Sequence, residues 1–247
     1  MQIKLIFQFL IVFIHQLLLS PMTLTQDSGS GFITNCSKPG IVVLTFDDGS
    51  GQYTNSLLQL KKLKLHFFVL GTSVEQYPEI LNKIFKERHQ IGVHTYTHPH
   101  LNDLTYEQQK EEIVKANDAI YKIIGVIPNY MRPPFGECDD ECGKLMKSLD
   151  LIITQWTIDF YDWHYQAASY QEGRTKTLNN ILGYLSLSNP KIDSFILLQH
   201  YFYKYSVDIV PEIVEAFEKK GYTFETVAEC LVESYKNKNE DGKMTKK

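Results

Sequence analysis

The sequence predicts one α/β domain built on parallel strands, most simply a barrel, and three observations carry that expectation. Short, continuously apolar runs recur along the chain, amphipathic helical patterns separate them, and the composition is ordinary for a globular protein. Apolar strands alternating with helices are the pattern of parallel strands buried on both faces. At 43% hydrophobic and 22% charged residues, the chain is not disordered, collagenous or coiled-coil. Its 247 residues suit a single α/β barrel domain.

Taken in order, the strand-like runs are Ile41–Phe46, Phe67–Leu70, Ile91–Val93, Leu151–Trp156 and Phe195–Gln199. Helical patterns fall near Tyr53–Leu63, Tyr77–Glu87, Thr105–Ile124, Asp139–Leu149, Arg174–Leu187 and Val210–Lys220. At the start of the third helix, Thr105 and Gln108 have the spacing of a capping box. No repeat, low-complexity block or linker interrupts residues 33–235, which are read as the domain.

Both ends are set apart from it. Residues 1–24 read as a secretory signal peptide: Lys4, an apolar stretch through Leu19 broken by His15-Gln16, then small and polar residues. The stretch falls short of the roughly 18–20 apolar residues of a spanning helix, although an uncleaved anchor is the alternative. Residues 236–247 form a polar, charged tail without the features of a glycolipid anchor. A secreted protein, extracellular or in a cell wall, monomeric and not membrane-spanning, is expected. With 25 Lys+Arg against 29 Asp+Glu the net charge is −4, and no basic stripe suggests nucleic acid. The 15 Tyr, 14 Phe and 2 Trp suit a carbohydrate-handling surface and equally a large core.

Cys36, Cys138, Cys142 and Cys230 in an exported chain favour disulfides, in one of three pairings. A bridge between the neighbours Cys138 and Cys142 is easy, and Cys36 and Cys230 would then tie the start of the domain to its end. A zinc knuckle with His94 and His98 fits no common module by order or spacing.

In barrels of parallel strands, chemistry gathers where strands end. Asp47-Asp48-Gly49 follows the first run. Neighbouring residues at a strand end point to opposite sides, so one carboxylate is expected to bind a cation and the other to handle a proton. An Asp-Gly turn is the structural reading. After Ile91–Val93 come His94 and His98, four apart and able to converge on one ion, with Asp48 as a third ligand. Two imidazoles and a carboxylate suit a zinc-like ion with positions left open. His100 is read as a neighbour. Arg132-Pro133-Pro134-Phe135-Gly136 offers a stiff loop to aim a backbone N–H, and a guanidinium to hold a carboxylate. Asp159-Phe160-Tyr161-Asp162-Trp163 and Leu198-Gln199-His200 complete the set. Singly, these could be a proline turn, an acidic loop and a core histidine.

Together and in this order, the motifs resemble the polysaccharide deacetylases of carbohydrate esterase family 4, the NodB-homology family. The matching residues are Thr45-Phe46-Asp47-Asp48-Gly49, His94-Thr95-x-x-His98, Arg132-x-Pro134-Phe135, Asp159-x-x-Asp162-Trp163 and Leu198-x-His200. The cysteine pattern is similar to that of fungal chitin deacetylases. The resemblance implies a distorted (β/α)7 barrel and the pairings Cys36–Cys230 and Cys138–Cys142. It implies Asp48, His94 and His98 as ligands of one divalent ion, zinc first, with cobalt or nickel as alternatives. It makes Asp47 the general base, held by Arg132, and His200 the acid, oriented by Asp162. It gives the Phe135 backbone N–H to the oxyanion, and Trp163 and Leu198 to the acetyl pocket. The substrate it implies is chitin or a related N-acetylglucosamine polysaccharide.

Four positions depart from the family pattern: Ser50 for a proline, Phe135 for a tyrosine, Val93 for an asparagine and Arg88 for a glycine. None is a proposed ligand or proton carrier, but supporting residues can matter 10–100-fold. An O-acetyl esterase and a non-catalytic carbohydrate-binding or wall protein are the competing readings.

Overall fold

Runs rich in Val, Ile and Phe form the strands, and the polar residues that punctuate them fall at strand ends. The computed structural model describes residues 32–60, 62–231, 236–238 and 244–246, so the signal peptide expected at 1–24 lies outside the described residues. The strands are β1 (Ile41–Asp47), β2 (His66–Val69), β3 (Gln90–Val93), β4 (Ile127–Pro128), β5 (Tyr130–Met131), β6 (Ile152–Ile153), β7 (Ile158–Asp159), β8 (Phe195–His200) and β9 (Thr223–Phe224). Around them lie α1 (Thr54–Leu58), α2 (Gly71–Gln76), α3 (Pro78–Lys86), α4 (Tyr106–Ile124), α5 (Asp140–Ser148), α6 (Tyr170–Leu187), α7 (Lys204–Asp208), α8 (Val210–Lys220) and α9 (Val227–Cys230).

Seven strands run in the order β6-β5-β3-β2-β1-β8-β7, every neighbouring pair parallel. β9 shares an edge of β1 with β2, pairing at Ile41 and Val42 while β2 pairs at Thr45 and Phe46. Thr154–Thr157 crosses from β6 to β7, and no pairing joins these two edge strands among the described residues. Ile33 runs along that seam, bonded to Ile153 and Gln155. The result is a distorted (β/α)7 barrel.

Strand periodicity separates two cores. Val42, Leu44 and Phe46 point outward into the helix layer, with Leu81, Ile113, Ile120 and Phe217. Ile41, Val43, Phe68, Tyr130 and Ile196 fill the barrel, whose lower end is closed by Val227, Ala228 and Cys230 of α9. On the face of β1 that carries Ile41 and Val43, Thr45 and Asp47 come next, so the functional end stands on a packed interior.

Both implied disulfides are present. Cys36–Cys230 ties the segment before β1 to α9, and Cys138–Cys142 spans the start of α5. The capping box at Thr105 and Gln108 is formed. Other expectations need correction. Leu151–Trp156 is not one strand: it pairs with β5 only at Ile152 and Ile153, bridges to Ile33 at Thr154, then crosses the seam to β7. The helix expected from Arg174 starts at Tyr170, because Ser169 caps it by accepting from the Glu172 N–H. The helix expected over Tyr53–Leu63 stops at Leu58. The two-residue strands β4, β5, β7 and β9 carry too little periodicity to read. The tail set apart as 236–247 contributes two backbone strands, β10 (Lys236–Lys238) and β11 (Met244–Lys246), the first pairing antiparallel with β4. No helix among the described residues is long and apolar enough to cross a membrane.

Candidate active site

Strand register brings the two halves of the site together before any side chain is considered. Asp47, the last residue of β1, pairs with His200, the last of β8. Next to β1, β2 leads through β3 to His94.

Asp48 does not continue the strand. Its φ is 70°, in the left-handed region, so the alternation that would send it away from Asp47 is broken. Both carboxylates line one cleft. That corrects the expectation of opposite sides, while their partners still differ. Asp48 Oδ1 lies 3.4 Å from Nε2 of His94 and 3.4 Å from Nε2 of His98. Ligand atoms of these three residues all fall within 4.8 Å of one another. His94 Nδ1 donates to the Arg132 carbonyl at 2.7 Å, which leaves the Nε2 lone pair facing Asp48. Asp48 Oδ1 is buried and accepts no hydrogen bond. A buried, unsatisfied carboxylate oxygen between two imidazole nitrogens is what a divalent cation would complete. Burial opposes ionisation of Asp48, but His94 above all, then His200 and His98, hold it at about 2. Burial likewise works against a charge on His94, yet Asp47 and Asp48 outweigh it and raise its pKa. His98 is lowered, by burial and by His94.

Asp47 has a different anchor. Arg132 is fully buried and donates from Nη1 to Asp47 Oδ1 at 2.8 Å and to Thr45 Oγ1 at 2.6 Å. Its Nε and Nη2 reach the carbonyls of Thr154 and Gln155 at 3.1 and 2.9 Å. The guanidinium thus plugs the open seam of the barrel, with Phe68 beneath it, 4.3 Å from the ring centre. Planar and multiply bonded, it allows Asp47 little rotational freedom.

Across the cleft, His200 Nδ1 donates to Asp162 Oδ1 at 2.7 Å. Asp162 is fully buried and also accepts from the His200 and Trp163 N–H groups and from the Ser206 hydroxyl. Burial disfavours charge on His200, but the charge and hydrogen bond of Asp162 prevail and push it up to about 9. Trp163 Nε1 donates to Asp159 Oδ2 at 3.0 Å, fixing the indole at the rim.

The cleft encloses about 440 Å³. Of the ten residues singled out from sequence, Asp47, Asp48, His94, His98, Phe135, Trp163, Leu198 and His200 line it, while Arg132 and Asp162 lie buried behind. Phe135 has φ 57° and stands between two imidazoles, edge-on to His98 and stacked on His100 at 3.8 Å. His100 is a neighbour as expected, bonded to Glu137. Gly136 is required where it stands: φ is 74°, and a Cβ there would come within 2.9 Å of Trp156. Trp156, Phe202 and Tyr203 also line the cleft. Trp156 escaped notice as a wall residue because it looked like the end of a strand. Among the departures, Ser50 is fully buried, Val93 packs in the outer core and passes its carbonyl to the Arg132 N–H, and Arg88 has φ 63°.

Parallel barrels with their polar groups gathered at the carboxyl ends of strands are predominantly enzymes, and this geometry belongs with them. Comparison with known proteins narrows the class. Residues 34–153 match the polysaccharide deacetylase family. A peptidoglycan-N-acetylglucosamine deacetylase of Bacillus cereus is 31% identical over 207 residues, covering 80% of this chain and 70% of that protein. Chitin deacetylase 1 of Cryptococcus neoformans is 32% identical over 221 residues, 81% of this chain but 45% of that longer protein. The structure of the chitin deacetylase from Colletotrichum lindemuthianum superposes with a TM-score of 0.77 at 27% identity, covering 87% of this chain and 96% of that one. The chain belongs to the polysaccharide deacetylase family.

Proposed function

We propose that this protein is a secreted hydrolase that removes the N-acetyl group from N-acetylglucosamine polymers, chitin first among them, and releases acetate. One observation carries the reading: Asp47 and His200 end neighbouring strands and flank the Asp48, His94, His98 donor set, each held by its own buried partner. Asp48, His94 and His98 would hold one divalent cation, zinc before cobalt or nickel. Such an ion supplies electrophilic polarisation of the amide carbonyl and acidifies water. Asp47, oriented by Arg132, accepts the proton of the attacking water. The Phe135 backbone N–H steadies the oxyanion. His200, charged through Asp162, gives its proton to the departing sugar amine. Trp163 and Leu198 enclose the acetyl methyl group.

Two features narrow the substrate. An amine is a poor leaving group, and a histidine pushed up to about 9 is a donor suited to it; an ester, whose alcohol leaves more easily, depends less on such an acid. Among the described residues lining the cleft there is no lysine or arginine, while Asp159 stands in its wall. That surrounding suits a neutral acetylated polymer better than a glycan carrying carboxylates. The test is acetate release from defined chitooligosaccharides with and without added zinc or cobalt. Metal-loaded, folded protein that binds chitin but releases no acetate from amides or esters overturns the hydrolytic reading in favour of a carbohydrate-binding role.

A further inference from the structure

His94 and His98 must both come round onto one oxygen of Asp48, and the turn between them is held from outside the site. The chain enters the left-handed region twice, at Thr95 (φ 69°) and at His98 (φ 67°). A β-branched threonine adopts that conformation rarely, and it persists only where the surroundings over-determine it. On one side, α2 meets the turn's carbonyls: the Gly71 N–H donates to Thr95 at 3.0 Å and the Thr72 N–H to Tyr96 at 3.1 Å. Gly71 allows this approach, since a Cβ there would lie 2.2 Å from the Tyr96 ring. On the other side, a single carboxylate meets the turn's donors. Glu112 Oε2, from α4, accepts from the Tyr96 N–H at 2.9 Å and the Thr97 N–H at 2.8 Å, and Oε1 accepts from the Thr97 hydroxyl at 2.8 Å.

We infer that Glu112 is a positioning residue for the metal centre, its three accepted hydrogen bonds holding the 95–97 turn in the shape that sets His98 opposite His94. This rests on the metal-binding reading proposed above. A carboxylate suits the task because both oxygens accept and its charge strengthens each bond. A glutamine keeps one accepting oxygen, and an alanine keeps none.

Cobalt(II) tests this without any turnover, through equilibrium dialysis and the visible absorption spectrum of the loaded protein. Wild type should bind one cobalt ion. Glu112→Ala should bind it 10–100-fold more weakly, the range for residues that orient metal ligands, with an altered spectrum. Glu112→Gln should fall between the two. Glu111→Gln, one residue away on the exposed side of α4, should match wild type in affinity and spectrum. If Glu112→Ala does not fold, Thr97→Val and Glu112→Gln carry the same gradation. Wild-type affinity and spectrum in the folded Glu112 and Thr97 variants overturn the positioning role while leaving the metal centre intact. Wild-type protein that takes up no cobalt overturns the metal reading, and the positioning role with it.

Discussion

His94 and His200 make the same hydrogen bond to different acceptors. Each imidazole donates from Nδ1 across 2.7 Å, His94 to the neutral Arg132 carbonyl and His200 to the Asp162 carboxylate. A neutral acceptor fixes the tautomer and leaves Nε2 free to bind a cation. A charged acceptor makes the imidazolium the favoured form and so prepares a proton donor. The backbone differs as well. Four of the seven non-glycine residues with positive φ among the described residues, Asp48, Thr95, His98 and Phe135, belong to the half that carries the proposed metal ligands, the metal half. His200 is simply the last residue of a regular strand, and only Tyr161 beside Asp162 departs in this way on the acid side. The metal half is assembled by unusual turns that need external support, the acid half by strand register and one buried carboxylate.

The largest effect should come from the residue that joins the halves. Asp47→Asn keeps the shape of the Arg132 contact but removes the proposed base, and acetate release should fall by roughly 10²–10⁴-fold. Cobalt affinity should change far less, because the ligand set is untouched. A variant that loses cobalt and activity in parallel would merge Asp47 with the metal half and break the distinction drawn above.

On the acid side, His200→Ala should lower turnover of an N-acetyl substrate by about 10²–10³-fold. An O-acetyl ester, whose alcohol leaves more easily, should suffer less. Parallel rates on amide and ester across a range of pH decide this. Equal losses would mean that His200 shapes the cleft rather than donating a proton.

The contrast between the halves also explains which parts were legible in the sequence. Asp47, Asp48, His94, His98, Arg132, Asp162 and His200 all stand at or just beyond strand ends, in motifs whose order survives folding. The barrel was legible for the same reason, through β1, β2, β3 and β8. The relation of Asp48 to Asp47 was not, because strand alternation predicts opposite sides and one left-handed residue reverses that. Glu112 was invisible: it lies mid-helix among Lys110, Glu111 and Lys115, and nothing local distinguishes it from a solvated acid. Trp156 was misassigned for a related reason. Thr154–Thr157 satisfies its backbone across the seam, through Met131, Ile33 and Ile196, so its pattern is set by distant residues.

A third test concerns pH, and its sign follows from His200. Its folded pKa, pushed up to about 9, lies above the ordinary value near 6.5. The bond to Asp162 therefore stabilises the fold fully below about pH 6.5, and that contribution is lost as pH rises through about 9. The ceiling is about 3–3.5 kcal/mol. Denaturant unfolding of metal-free protein, disulfides intact, at pH 6 and pH 9.5 should register the loss. Asp162→Asn should flatten it, since the favoured charge has no partner. An unchanged slope in that variant would assign the pH dependence elsewhere. With a cation on Asp48, His94 and His98 as proposed, the imidazolium is disfavoured, so the alkaline limb of the proposed activity should fall below pH 9.

The smallest expected effect separates left-handed residues that serve the site from one that does not. Arg88 has φ 63° and an exposed side chain, just before β3. Its N–H donates to Phe85 at 3.0 Å in the turn that ends α3, a position where glycine adopts positive φ without steric cost. For an L-residue the left-handed region costs roughly 1–2 kcal/mol, and glycine returns about 0.4–1 kcal/mol of that through the greater freedom of the unfolded chain. Arg88→Gly should therefore stabilise the protein by about 0.5–1 kcal/mol in denaturant unfolding. Cobalt affinity should stay at the wild-type value, because the turn around Thr95 keeps its contacts to Gly71, Thr72 and Glu112. A substitution that stabilised the fold yet weakened cobalt binding would show that strain before β3 is transmitted to His94, and the metal half would then extend a full strand further than the hydrogen bonds place it.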